Sequence, residues 1–261
     1  MQGKLICIHS VFIEKAMSAI IRVFTNEGFV VFADGRSTPV DPSKPVNDET
    51  QKIFDVSSDS GPLSMGIVGS TQIETADGQC VDVTRLFTDS ADILRTANVV
   101  DFAEYGERLW GLVKHELITH HSGTFDAIKN GDDLFNVFVD GFMNGVAGSV
   151  RIHVFAENDG LIQDITLPAI RRRPTIHGAD VLAKSMFEGD ALNAPTYSGS
   201  WGLIMNVGDV TAAAQAYIRA CGEARNIEIE PFCALIGGHI HGAVVALTGF
   251  RWVDGLRPVG V

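Results

Sequence analysis

The sequence predicts antiparallel sheets covered by helices, as either an α+β fold or a layered α/β/β/α sandwich. Three observations predict it. Short β-rich runs are joined by turn signals into hairpins, helical periodicity is confined to two blocks, and no linker, internal repeat or low-complexity segment separates them. The 261 residues suit one large domain with a sizeable core, and 27 glycines provide for many tight turns.

The elements follow in order. Residues 19–24 are β-rich, Asn26-Glu27-Gly28 is a turn signal, and residues 29–33 form a second strand that ends on Asp34-Gly35-Arg36. Residues 37–48 carry three prolines among Ser, Thr, Asn and Asp, which is loop chemistry. Strands are predicted at 52–56 and 63–68, on either side of a polar turn. Residues 81–94 and 99–120 then show apolar positions at three- and four-residue spacing, such as Phe102, Leu109, Leu112, Val113 and Leu117. Strands return at 134–139, 150–155 and 161–167. A second helical block covers 179–187, a segment from Ser198 as N-cap to about 206, and 210–225 capped by Asp209. Residues 233–236, a Gly237-Gly238 turn and strands at 240–247 and 250–253 close the chain.

Charge and composition exclude several functions. The net charge is −12, with 32 acidic against 20 basic residues, so nucleic acid is not an expected partner. The basic run Arg171-Arg172-Arg173, ahead of Pro174, reads as a solvated loop. Cys7, Cys80, Cys221 and Cys233 fit no zinc spacing and read as reduced thiols of a cytoplasmic protein. No apolar run reaches the roughly 18 residues of a membrane span, and residues 1–12 lack the features of a signal peptide.

The chemistry centres on a few residues. The stretch Gly28-Phe-Val-Val-Phe-Ala-Asp34-Gly-Arg36 resembles the signature of the proteasome β-subunit and HslV-like family, within the N-terminal nucleophile hydrolase superfamily. Thr50-Gln-Lys52-Ile53-Phe54 is similar to that family's lysine-bearing strand, and Ile67-Val68-Gly69-Ser70 to its glycine-rich strand end. Tyr197-Ser198-Gly199-Ser200 resembles its Gly-Ser-Gly-Ser region. Gly237-Gly238 with the hairpin ending Gly249-Phe250-Arg251-Trp252 resembles its closing strands. Weak similarity thus spans most of residues 18–253, as in a divergent bacterial-type member. The family's nucleophile precedes its signature aspartate by sixteen residues, and counting back from Asp34 lands on Ser18. Gly28 keeps register, while Lys52 falls two residues late, as a longer loop would place it.

The resemblance implies a four-layer α/β/β/α sandwich of the proteasome β-subunit type, with residues 18–261 as one domain. It implies Ser18 as nucleophile, with its freed α-amine as base. An unperturbed α-amine has a pKa of about 8, and a nearby ammonium lowers it further. Lys52 would be that ammonium and Asp34 would pair with it. The Gly69 N–H would donate to the oxyanion, and Ser198 would orient the amine or a water. The implied activity is hydrolysis of peptide amide bonds by a ring-shaped homo-oligomer, with a peptide or protein substrate and an ATP-dependent unfoldase as a partner. No cofactor, metal, nucleic acid or membrane enters.

Two departures oppose this. Ser18 has no free amine while residues 1–17 precede it. Either they form a leader cleaved after Met17, or Met17 is the true start and its removal bares Ser18; the second is simpler. Where active members carry Asp and Ser ahead of Gly-Gly, this chain has Cys233 and Ile236. The alternative reading is therefore an inactive subunit that keeps only the ring contacts.

Other groups read as structural. His239 and His241 share one strand face and lack an obvious third ligand, so a satisfied surface or interface pair is expected rather than a metal site. His115, His120 and His121 sit near a helix C-terminus, where positive charge is favourable. Gly199-Ser200-Trp201-Gly202 has no phosphate-loop lysine. Trp201 and Trp252 read as core or interface residues.

Overall fold

The computed structural model describes residues 18–38, 45–74, 80–121, 133–157, 160–188 and 206–260. Its strands are β1 (Ile20–Thr25), β2 (Gly28–Asp34), β3 (Ile53–Asp55), β4 (Leu63–Gly69), β5 (Gln72–Glu74), β6 (Cys80–Asp82), β7 (Asp133–Met143), β8 (Val146–Glu157), β9 (Gly160–Thr166), β10 (Thr175–His177), β11 (Ile240–Ala246) and β12 (Gly249–Trp252). Its helices are α1 (Val83–Leu94), α2 (Phe102–His121), α3 (Asp180–Glu188), α4 (Val207–Cys221) and α5 (Ala224–Ile229), with a short 3-10 helix at Pro231–Leu235.

Two five-stranded sheets carry the architecture. One has the order β10-β1-β2-β11-β12, the other β3-β4-β7-β8-β9, and β5-β6 is a separate ribbon. Every ladder is antiparallel. Residues of β1 and β2 alternate in destination. Ile21, Val23, Val30 and Phe32 join Leu182, Ala214 and Tyr217 of the helices, while Ile20, Val31 and Ala33 meet Ile53, Val68 and Phe138 of the other sheet. That is the two-residue period of a strand buried on both faces. The second sheet packs Leu63, Met65, Val137 and Ile152 against Phe87, Leu109 and Val113 of α1 and α2.

The expected fold class, a four-layer α/β/β/α sandwich of the proteasome β-subunit type, is corrected here. The described residues are mostly antiparallel sheet with few helices. α3 has 9 residues and α5 has 6, and the helix expected from Ser198 to about 206 lies almost wholly outside the described residues.

Local differences have plain causes. Asn144-Gly145, at φ 51° and 79°, turns β7 into β8 and lets both strands run far longer than expected. Both residues sit in the left-handed region that Asn and Gly tolerate best. Asn206, not Asp209, caps α4: its Oδ1 accepts from the Asp209 N–H at 2.9 Å, which puts Asp209 in the first turn. The expected helix 210–225 breaks at Gly222 into α4 and α5. Residues 233–235 are helical because Pro231 starts a 3-10 turn, which Ile236 ends in an extended conformation. No described helix is long and apolar enough to cross a membrane.

Candidate active site

Four chain segments converge at one end of the first sheet. Ser18 and Ala19 lead into β1, Asp34 ends β2, Lys52 precedes β3, and Gly237 precedes β11. The β1-β2 register places Ile20 opposite Ala33, so Ala19 lies beside Asp34. The Ala19 N–H donates to Asp34 Oδ1 at 2.8 Å, and the Asp34 N–H donates to the Ala19 carbonyl at 3.2 Å. Lys52 Nζ donates to the same Oδ1 at 2.7 Å and to the Arg36 carbonyl at 2.5 Å. The Gly237 N–H donates to Asp34 Oδ2 at 3.0 Å. Asp34 is fully buried, Lys52 is 1% exposed and Ser18 is 6% exposed.

A buried carboxylate with this many donors is held in one orientation. Burial pushes the Lys52 ammonium below its ordinary range, Asp34 pulls it back up, and the Arg36 guanidinium adds to the lowering. Arg36 is anchored in turn: its Nε donates to Asp48 Oδ1 at 2.8 Å and its terminal nitrogen to the Ala234 carbonyl at 3.1 Å. The Gly35 and Arg36 N–H groups both donate to the Gly237 carbonyl, at 3.0 and 2.9 Å. The 3-10 turn and Gly237 thus brace the end of β2.

Of the residues singled out from sequence, Ser18, Asp34 and Lys52 come together. Gly69 ends β4, at the end of its sheet that also holds Lys52, whose carbonyl accepts from the Ile67 N–H. No hydrogen bond among the described residues joins it to the other three. Its φ of +104° and the Leu134 carbonyl, 2.5 Å from where a Cβ would stand, require glycine there. Ser198 lies outside the described residues.

Cys233 and Ile236 are fully buried against the helices. Burial, then Glu230, raises the Cys233 thiol, so it supplies no negative charge in place of the missing Asp. Glu230 faces away and caps α3, accepting from the Val181 and Leu182 N–H groups at 3.3 and 2.9 Å.

His241 differs from expectation. It is fully buried, and neither ring nitrogen has a hydrogen-bond partner among the described residues, so it is not a satisfied surface pair with His239. On β11 it pairs across from Ala33, beside Asp34, with the His239 ring 5.0 Å away. Burial, His239 and Lys52 together lower its pKa to about 4. Its apolar neighbours in sequence, a strand of Ile, Gly, Ala and Val, were the signal for that burial. Among the described residues no three metal-ligating side chains gather.

Comparison with known proteins finds similarity of fold alone. No protein-family model matches the sequence, and no curated protein matches it. Solved structures that resemble the chain include the helical assembly of the Anbu complex from Pseudomonas aeruginosa (TM-score 0.52, 11% identity, 90% of this chain and 85% of that one). They also include Anbu from Hyphomicrobium sp. strain MC1 (TM-score 0.51, 13% identity, 91% and 88%) and Anbu, the ancestral β-subunit, from Yersinia bercovieri (TM-score 0.51, 12% identity, 92% and 89%). The expected proteasome β-subunit and HslV-like assignment is corrected accordingly. The structural likeness found is to Anbu, the ancestral β-subunit, at 11–13% identity, and no family model supports the narrower placement.

Proposed function

We propose that the chain is an N-terminal nucleophile amidohydrolase that cleaves peptide bonds with Ser18. One observation carries the reading: a buried Lys52–Asp34 ion pair bonded directly to the backbone that bears Ser18. Such a pair is costly to bury. It has a use if a hydroxyl beside it must be activated.

With Ser18 as the first residue, its α-amine takes the hydroxyl proton, and the oxygen attacks the substrate carbonyl. An acyl ester forms, the C–N bond breaks, and the leaving amine takes the proton. Water then hydrolyses the ester. Lys52 keeps the terminal amine neutral at working pH, Asp34 fixes Lys52, and the Gly69 N–H serves as oxyanion donor. Ser198 orients the amine or the attacking water. Residues 1–17 must no longer precede Ser18 for this to run. The Pseudomonas aeruginosa Anbu complex is a helical assembly; by analogy we take this chain to work as an assembly of its own copies.

Ser18→Ala is expected to abolish hydrolysis of an N-acetylated peptide-aminocoumarin panel while leaving the circular dichroism spectrum unchanged. Retained turnover would sink the assignment.

The burial of Cys233 and Ile236 in the helix-side core favours a second reading, an inactive subunit that keeps the fold for assembly. Intact mass of protein from its native host separates the two. A species starting at Ser18 supports catalysis, and residues 1–17 retained throughout support the inactive subunit.

A further inference from the structure

The chain crosses from one sheet to the other between β9, which ends at Thr166, and β10, which begins at Thr175. Both are edge strands, so the crossing runs over one side of the sandwich. It holds the run Leu167-Pro-Ala-Ile170-Arg-Arg-Arg173. Leu167 is 59% exposed, Ile170 is 40% exposed, and all three arginines are exposed.

The arginine run is anchored, not a loose loop. The β1-β10 register pairs Ile20 with His177 and Arg22 with Thr175, and its continuation puts Arg173 opposite Phe24. The Phe24 N–H donates instead to the Arg171 carbonyl, at 3.1 Å. Arg172 and Arg173 are therefore extra to the ladder. They are pushed out of the edge as a bulge whose two flanks are both held by β1. Pro174 has no N–H to offer an added strand, so this edge presents side chains and not backbone.

None of the three guanidiniums has an ion pair among the described residues. Glu27, in the turn beyond Phe24, is taken by Arg251 at 2.8 Å. Asp164 and Asp180, the nearest acids along the chain on either side, form no ion pair with the run. One charge on an edge is enough to keep stray strands off it. Three adjacent unpaired cations repel one another, and an anion relieves that repulsion. The net charge of −12 limits the size of the anion. A broad anionic surface, whether nucleic acid or lipid, would also meet the rest of an acidic molecule. A short segment meets the arginines alone, within a screening length of about 8 Å. We propose that the 167–173 crossing docks a short acidic segment of a partner protein. Its carboxylates pair with Arg171, Arg172 and Arg173, and an apolar side chain beside them lies on Ile170 and Leu167. The surface stands at the Phe24 end of β1, away from Ser18, and does not rest on the proposed hydrolysis.

The test uses the full chain and a capped heptapeptide, Ser-Ile-Glu-Glu-Glu-Leu-Ser, with binding followed by calorimetry at about 0.1 M salt. Measurable binding is expected. It should weaken about tenfold or more for a peptide with Gln in place of Glu, and for the double variant Arg172→Glu with Arg173→Glu. Arg219→Glu with Arg225→Glu changes the net charge equally at exposed positions of α4 and α5, and should leave binding unchanged. All four positions are exposed, so both variants should fold normally, which melting curves check. Four results would overturn the proposal. The first is no binding at millimolar peptide. The second is an equal loss in the Arg219 and Arg225 variant, which would make net charge the cause. The third is sedimentation with phosphatidylserine vesicles that the Arg172 and Arg173 variant abolishes, which would make lipid the occupant. The fourth is a drop in the protein's own oligomeric mass in that variant, which would make a second copy the occupant.

Discussion

Breaking the Lys52–Asp34 pair from one side strands a charge in a site that admits almost no water. Lys52→Met should therefore cost about 3–5 kcal/mol in urea unfolding. Asp34→Asn combined with Lys52→Met should cost less than the sum of the single changes, because the two residues share one interaction. His241 makes stability depend on pH. Its pKa falls from the ordinary value near 6.5 to about 4 in the fold, so below pH 6.5 the unfolded chain binds the extra proton. Stability should be full above pH 6.5 and fall as pH drops toward 4. The loss at pH 5 is about 2 kcal/mol, and His241→Leu should remove that share of the pH dependence in unfolding midpoints. Ser18, Asp34 and Lys52 were legible through the resemblance to a family signature, and spacing alone would not have shown them. The Gly237 N–H on Asp34 was not, since it crosses 203 positions. Neither was the buried set in which Arg22 Nε donates to Asp140 at 2.6 Å, Ser149 accepts from the same guanidinium, and the Phe138 ring lies 4.3 Å away. An arginine within an apolar strand was the only hint, and its partner lies 118 positions on.

At the scale of elements, local signals were read well and long-range pairings poorly. The β1-β2 hairpin shows in its Asn-Glu-Gly turn and β-rich runs, and α1 shows in its periodicity, while Asp82, inside the expected helix 81–94, is its N-cap, accepting from the Arg85 N–H at 2.9 Å. β10 has three residues and exists because it pairs with β1. Thr175 and Ile176 favour a strand, but three residues between Pro174 and Gly178 are too short a run to announce one. The β7-β8 turn is legible in Asn144-Gly145. Gly145→Ala should cost about 1 kcal/mol by equilibrium unfolding, since its φ of 79° is unfavourable for a residue with a Cβ.

For the whole molecule, the net charge of −12 opposes any gathering of copies. If the chain self-associates as proposed, its mass by light scattering should rise between low salt and about 0.3 M salt, as screening shortens the reach of that repulsion. The connectivity of the first sheet has another consequence, for biosynthesis. Its central strand β2 bonds on one side to β1, its immediate predecessor in the chain, and on the other to β11, made much later, with Asp34 opposite Ile240. The carboxylate that organises the Ser18 cluster has its Gly237 donor on that same late segment. At roughly 5–20 residues per second, about 10–40 s separate the two halves of the site on the ribosome. A nascent chain therefore exposes an unfinished sheet edge with its buried pair incomplete. It completes the site only after the 203 positions from Asp34 to Gly237 have been made.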